Sequence, residues 1–304
     1  MELGLDNWTA EFLSEELADR DDLGMMTLRQ AIDLYAREKL TGILEKTNYD
    51  RWIEIPPTKS LPKGADTMQE LGFCTGSLSM LVDETDTVLV LMPLEEGSAG
   101  HLFAKAAKRI GAKTVEYGEP FAEKETGGRE EADSILQLIR EEGVTSVIAS
   151  PTHMVALARA AARQTEEGAD DIYLRSVLLA GGFAPGKTVM MLEETFQAMI
   201  FEFSDIPAAG MGIAASCGYG QGSHIREADL FIELINPVTE QAVRFESPKT
   251  PGFSDYGEIV LTTLNREDAP LIRYRTGYYS RWIIGACPCG SQLKRLDKII
   301  PGDE

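Results

Sequence analysis

The sequence predicts an α/β fold: a doubly wound sheet body, preceded by an N-terminal helical arm and followed by a β-rich subdomain. Three observations carry this. Between about residues 81 and 215, short apolar runs alternate with amphipathic stretches, the pattern of βαβ units around a parallel sheet covered on both faces. After about residue 225 the helical period stops, and strand-like segments follow one another at turn-length intervals. Cys287 and Cys289, two of only four cysteines, stand one residue apart in that last segment. The expected division is an arm and linker over roughly 1–80, the α/β body over 81–215, and the β-rich subdomain over 216–304.

Taken in order, "TLRQAIDLYAREKLTGILEKT" puts Leu28, Ile32, Tyr35 and Ile43 broadly on one side of a helix. Thr27 stands where an N-cap belongs. "IEIPPTKSLPKGADT" breaks this regularity with three prolines and a glycine and reads as a linker. In the body, "TVLVLMP", "KTVEYG", "VTSVIAS", "LRSVLLAGG" and "AMIFEFS" read as strands. The helices between them are "GSAGHLFAKAAKRIGA", "GREEADSILQLIREEG", "PTHMVALARAAARQTEEG" and "KTVMMLEETFQ". No sequence repeat of fixed period accompanies these units. Beyond them, "ADLFIELINPVTEQAVRF", "GEIVLTTLN", "PLIRYRTG" and "YYSRWIIG" read as strands, with a turn at Asn236-Pro237.

Composition narrows the function classes. A chain of 304 residues, 43% hydrophobic and 26% charged, is globular and long enough for a substantial core. A net charge of -20 opposes nucleic acid and anionic membrane surfaces as partners, because both need clustered Lys and Arg. Its simplest consequence is solubility by self-repulsion. No apolar run approaches the roughly 20 residues of a membrane span. The acidic start lacks the basic-then-apolar order of a signal peptide. The expected location is therefore the cytoplasm, where a close cysteine pair points to metal or redox chemistry.

Cys217 and His224 are separated by six residues in "SCGYGQGSHI", whose three glycines allow a sharp reversal. With Cys287 and Cys289 they make four thiol and imidazole donors, the number a closed tetrahedral zinc site takes. In an extended strand Cys287 and Cys289 would lie too far apart to chelate, but Pro288 and Gly290 favour a turn that converges them. The competing reading is that these cysteines are small buried hydrophobes. His101 and His153 have no evident acid–base partner and read as structural.

"GEIVLTTLNREDAPLIRYRTG", then "CPCG", then "KRLDKI" resemble the phenylacetate–CoA ligase-like family of adenylate-forming (AMP-dependent) acyl-CoA ligases. Members read roughly GELVLTTL, PLIRYRTRD and CPCG before a basic hinge, with a Cys-x6-His upstream that "CGYGQGSH" matches. Weaker similarity runs through "IASPTHMVALA" and "LRSVLLAGG", so the resemblance covers most of residues 80–300. It implies zinc on the four donors, a homodimer, and a carboxylic acid, ATP or AMP, and coenzyme A as ligands.

Several motifs depart from that pattern. The family's phosphate loop is close to SSGTTGKP; "FCTGSLSML" keeps Thr75, Gly76 and Ser77 but lacks the second glycine and the lysine. Pro207 and Ala208 stand where Thr and Glu are expected near the nucleotide. Tyr278 replaces the Asp that holds the ribose, and a phenol cannot accept two hydroxyl hydrogen bonds as a carboxylate does. The hinge aligns with "PGDE", and the small lid beyond it is expected to be lacking. By resemblance, Thr75, Gly76 and Ser77 would cradle phosphate, Gly181 and Gly182 would approach adenine, and Arg275 would lie near the ribose. Turn residues and a paired surface arginine are the alternatives. No catalytic residue is assigned. The expectation is a zinc-stabilised relative with eroded nucleotide motifs that binds a small ligand or a protein partner. The alternative is an active acyl-adenylate and CoA ligase for a small carboxylic acid, completed by a separately encoded lid.

Overall fold

Helix α1 (Leu5–Glu16) buries Leu5, Thr9 and Leu13 along one side, and Thr9 satisfies its hydroxyl on the Leu5 carbonyl at 2.8 Å. The computed structural model describes residues 4–47, 65–120, 128–206, 209–219, 221–245, 252–266 and 270–302. Most of the expected linker, the Pro207–Ala208 pair and the last two residues of "PGDE" lie outside them. Helix α2 (Leu28–Thr47) starts where the sequence placed its cap. Thr27 N–H donates to Gln30 Oε1 at 2.9 Å and Gln30 N–H to Thr27 Oγ1 at 3.3 Å, a reciprocal capping box. Ile32 and Tyr35 are buried as expected, while Leu28 and Ile43 are only half-buried. Helix α3 (Ala65–Leu78) follows, with Phe73, Cys74 and Leu78 fully enclosed.

The body alternates as predicted: β1 (Thr87–Leu91), α4 (Ala99–Ile110), β2 (Lys113–Glu116), α5 (Gly128–Glu142), β3 (Ser146–Ala149), α6 (Pro151–Glu166), β4 (Ser176–Leu179), α7 (Gly186–Phe196) and β5 (Met199–Ile206). The strands pair in parallel in the order β2-β1-β3-β4-β5, with Val88 opposite Ser146 and Val147 opposite Val177. Leu89, Leu91, Val147, Ala149, Val177 and Leu179 share one core with α5, α6 and α7. The alternate residues Val88, Val90, Ile148 and Leu178 are equally buried, and Phe103 of α4 meets the Phe203 ring edge-on at 5.0 Å. Both faces are covered, which is why these strands read as unbroken apolar runs.

A polar clamp holds the amino edge of this sheet. Asp86, 3% exposed, accepts from Thr145 Oγ1 at 2.6 Å, Arg175 Nη1 at 2.7 Å and Asp83 N–H at 2.8 Å. Replacing it would take an acceptor from three donors at the starts of β1, β3 and β4, of which Arg175 keeps Asp83 at 2.9 Å. Asp86→Ala is expected to destabilise the protein by about 2–3 kcal/mol, below the roughly 3–5 kcal/mol of a fully buried pair because Arg175 keeps access to water. A circular dichroism melt checks this; an unchanged midpoint would show that the clamp is decorative.

The remaining strands are antiparallel: β6 (Gly210–Ser216), β7 (Ser223–Ile225), β8 (Leu230–Ile235), β9 (Gly252–Phe253), β10 (Gly257–Thr263), β11 (Tyr274–Ser280), β12 (Trp282–Ile284), β13 (Arg295–Leu296) and β14 (Ile300–Pro301). One set runs β6-β7-β13-β12-β9 and another β14-β11-β10-β8, around a shared core that includes Ile213, Ile232, Ile259, Leu261 and Trp282. Asn236 Oδ1 accepts from Val238 and Thr239 N–H at 2.9 and 3.0 Å, forming the turn read at Asn236-Pro237. The expected break near Gly277 is displaced. Gly277 stays inside β11, where its N–H donates to Glu258 at 3.1 Å, and the chain changes sheet at Arg281.

The chain forms two compact units, Ser77–Ser204 and a second made of Met1–Gly76 with Asp205–Glu304. The N-terminal helices are thus part of the β-rich unit rather than a separate arm. The boundary falls at 204/205, near the end of β5, earlier than the expected 215/216.

Candidate functional site

Cys217 follows β6, His224 lies in β7, and Cys287 and Cys289 lie in the turn between β12 and β13. Pairing of β7 with both β6 and β13 aligns them: His224 stands opposite Ala215 on one side and Arg295 on the other. Gly290, at φ +86°, turns the chain so that its N–H reaches the Cys287 carbonyl at 3.0 Å, converging Cys287 and Cys289. Gly222 leaves no room for a side chain, since a Cβ would stand 2.2 Å from the Leu296 carbonyl oxygen.

The four donor atoms lie within 4.8 Å of one another, with Cys217 Sγ 3.5 Å from Cys287 Sγ and Cys289 Sγ 3.3 Å from His224 Nε2. Two thiolates on one tetrahedral ion, each at about 2.3 Å, would stand about 3.7 Å apart. The group therefore fits a metal ion. His224 is oriented for it: Nδ1–H donates to the Leu293 carbonyl at 3.3 Å, leaving Nε2 facing the thiols. Arg295, buried between the ligand loops, donates to the carbonyls of Gln221, Gly285 and Ala286 at 3.2, 3.0 and 3.3 Å. The sequence reading missed this role, and its one signal was the basic segment "KRLDKI".

Burial dominates the electrostatics. It pushes the Cys217 thiol up and the Cys289 thiol up to about 12. Burial also lowers the pKa of His224, favouring the neutral ring a ligand needs. At Cys287 burial is outweighed by the Cys289 N–H and the neighbouring thiols, which hold it below the usual thiol range. Two buried thiols, a half-buried third and a neutral imidazole form a set that a cation would complete, by displacing the thiol protons.

The residues expected to meet a nucleotide lie in three places: α3, the loop after β4, and β11. Thr75, Gly76 and Ser77 form the last turns of α3, with Thr75 and Ser77 4% and 1% exposed. Thr75 Oγ1 donates to the Leu71 carbonyl at 2.7 Å, and a Cβ on Gly76 would stand 3.1 Å from the Gly4 carbonyl oxygen. A phosphate cradle needs several N–H groups free and pointing to one spot; a buried helical turn engages them internally. Arg275 donates from Nε to Glu258 at 2.8 Å, across the β10–β11 pair. Tyr278 N–H donates to Thr276 Oγ1 at 3.1 Å.

Gly181 and Gly182 follow β4 after Ala180, at the carboxyl ends of the parallel strands, with Gly181 at φ +73°. In the order β2-β1-β3-β4-β5 the winding reverses between β1 and β3, where open α/β sheets present a ligand crevice. Ser98 and Ser150 cap α4 and α6 there, accepting from His101 and His153 N–H at 3.4 and 3.2 Å. Both histidines thus sit in the first turns of the helices flanking this edge.

Comparison with known proteins agrees with the fold. No protein-family model matches the chain. It is 34% identical over 102 residues to the phenylacetate-coenzyme A ligase of Thermus thermophilus, 33% of this chain and 21% of that protein. It is 27% identical over 198 residues to the Escherichia coli phenylacetate-coenzyme A ligase, 64% of this chain and 40% of that protein. The chain thus spans less than half the length of these relatives. Among solved structures, 2-hydroxyisobutyryl-CoA ligase with 2-HIB-AMP and CoA matches at a TM-score of 0.61 and 16% identity, over 98% of this chain and 67% of that one. Its open conformation matches at 0.63 and 17% identity, over 79% and 50%. At that identity the likeness speaks for the fold. The chain is thus phenylacetate–CoA ligase-like in sequence over the matched segments and CoA-ligase-like in fold. Among the described residues, no helix is long and apolar enough to cross a membrane.

Proposed function

We propose that this chain is a zinc-stabilised relative of the acyl-CoA ligases with little or no adenylation activity of its own. Its retained ligand surface is the carboxyl edge of the parallel sheet, around Gly181 and Gly182, and the ligand is a small carboxylate, a nucleotide or coenzyme A. The placement of Thr75, Gly76 and Ser77 in a buried helical turn carries this reading, because it leaves the phosphates without a cradle. The Arg275–Glu258 pair and Tyr278 in place of an acid support it. Cys217, His224, Cys287 and Cys289 would hold the zinc, which with four protein donors supplies structural cross-linking and leaves no open position. The 2-hydroxyisobutyryl-CoA ligase structures, which carry 2-HIB-AMP and CoA, suggest the ligand classes by likeness of fold.

Pyrophosphate exchange with a panel of aryl and alkyl carboxylates is expected to stay at background. Calorimetry on metal-loaded protein with ATP, AMP and coenzyme A separates retained binding from lost chemistry. Exchange at the ordinary enzymatic rate of roughly 1–1,000 per second would instead make this an active ligase and overturn the reading.

A further inference from the structure

The metal-binding loop has a second set of anchors on its other side. Within residues 289–294, Ser291 N–H reaches Cys289 Sγ at 3.5 Å, and the Leu293 carbonyl orients His224. The same few residues are fastened to the N-terminal helices. Asp6, in the first turn of α1, accepts from Ser291 Oγ and from Gln292 N–H at 2.9 Å. Arg29 N–H of α2 donates to Gln292 Oε1 at 3.4 Å. Glu227, buried beside them, accepts the Arg29 fork at 2.6 and 3.0 Å, Lys294 N–H at 2.8 Å and Lys294 Nζ at 3.3 Å.

Asp6 and Ser291 are 285 positions apart, so this loop is where the two ends of one compact unit are joined. Its backbone is short and turn-rich, and both sets of contacts demand a single conformation. Ordering each residue costs roughly 1–2 kcal/mol of conformational entropy, and whichever anchor forms first bears that cost for both.

We infer that metal binding at Cys217, His224, Cys287 and Cys289 and docking of helices α1 and α2 are coupled through residues 290–294, the metal acting as a latch for the N-terminal helices. The inference rests on the metal reading above. Linkage then requires reciprocity: the factor by which metal strengthens docking is the factor by which docking strengthens metal binding.

Two measurements on the full chain test it. Hydrogen exchange across α1 and α2, compared between zinc-loaded and chelator-treated protein, is expected to accelerate at least about fivefold on metal removal, the lower end of usual coupling factors. Exchange in α5 serves as the control and is expected to hold steady. Zinc affinity, read by competition with a chromophoric chelator, is expected to fall by a similar factor in Asp6→Ala and, by less, in Ser291→Ala. If zinc binds the wild type, yet α1 exchange does not respond and Asp6→Ala keeps full affinity, the latch is refuted and the metal site stands. Equal acceleration in α5 would mean global loosening and would also refute it. Absence of stoichiometric zinc binding by the wild type would remove the metal reading, and the latch with it.

Discussion

Cys289→Ser is expected to reduce the zinc content of protein purified without chelator from about one ion per chain to near zero. A serine hydroxyl is a far poorer zinc ligand than a thiolate, and three donors do not close the tetrahedron. The ion would cross-link β7 to the turn between β12 and β13, closing a loop of about 60 residues between His224 and Cys287 whose closure entropy otherwise opposes folding. Structural zinc in finger peptides contributes roughly 10–16 kcal/mol of apparent binding energy, comparable with the roughly 5–15 kcal/mol stability of a whole domain. The unit containing the four donors also has an apolar core of its own. Partial loosening is therefore expected there rather than collapse, concentrated in β7, β12 and β13. The Ser77–Ser204 unit holds none of the donors and has a separate core, so its sheet should keep its protection. Elemental analysis and hydrogen exchange read both halves of the result. Unchanged metal content in the variant, or none in the wild type, would leave the cysteines as core packing.

The parallel sheet and the four donors were legible in the sequence for different reasons. β1, β3 and β4 announce themselves because strands covered on both faces read as nearly continuous apolar runs, and turn residues bound them closely. The donors were legible by scarcity: four cysteines and three histidines leave few ways to assemble four soft ligands. Helix α3 was not legible. Thr75, Gly76 and Ser77 are weak helix formers and resemble a phosphate loop, but Phe73, Cys74 and Leu78 supply an apolar face that overrides propensity. Thr75 can sit inside because its hydroxyl returns to the carbonyl four residues earlier. The partners of the metal loop were hidden for a third reason. Periodicity shows that α2 is a helix, but nothing local to Arg29 states that Glu227 lies opposite it.

Arg226→Ala is expected to cost about 3–5 kcal/mol, the usual penalty for removing one partner of a buried ion pair. Arg226 is 1% exposed, lies 2.9 Å from Asp229, donates to the carbonyl of Met211 and covers the Phe73 ring at 5.9 Å. Its removal leaves Asp229 and Glu70 as buried acids without that cation. Glu70→Gln should behave in the opposite sense. Burial raises the Glu70 carboxyl above its ordinary value, and the attraction of Arg226 and the Met211 N–H, at 2.9 Å, only partly offset this. An acid whose folded pKa is raised costs stability in full above that pKa; the cost fades as pH falls through it and is gone below the unfolded value near 4.5. Gln removes the ionisation and keeps an oxygen for Met211 N–H. Glu70→Gln is therefore expected to be neutral to stabilising at pH 7, with its advantage over the wild type shrinking on acidification. In the Arg226→Ala background the gain from Glu70→Gln should be larger, by roughly 1–2 kcal/mol, because the cation that offset the burial is gone. Denaturant unfolding followed by tryptophan fluorescence reports on the right unit, since Trp8 and Trp282 belong to it. A cost below about 1 kcal/mol for Arg226→Ala, or a Glu70→Gln variant less stable than Arg226→Ala, would show that Arg226 is not what makes these buried carboxylates tolerable.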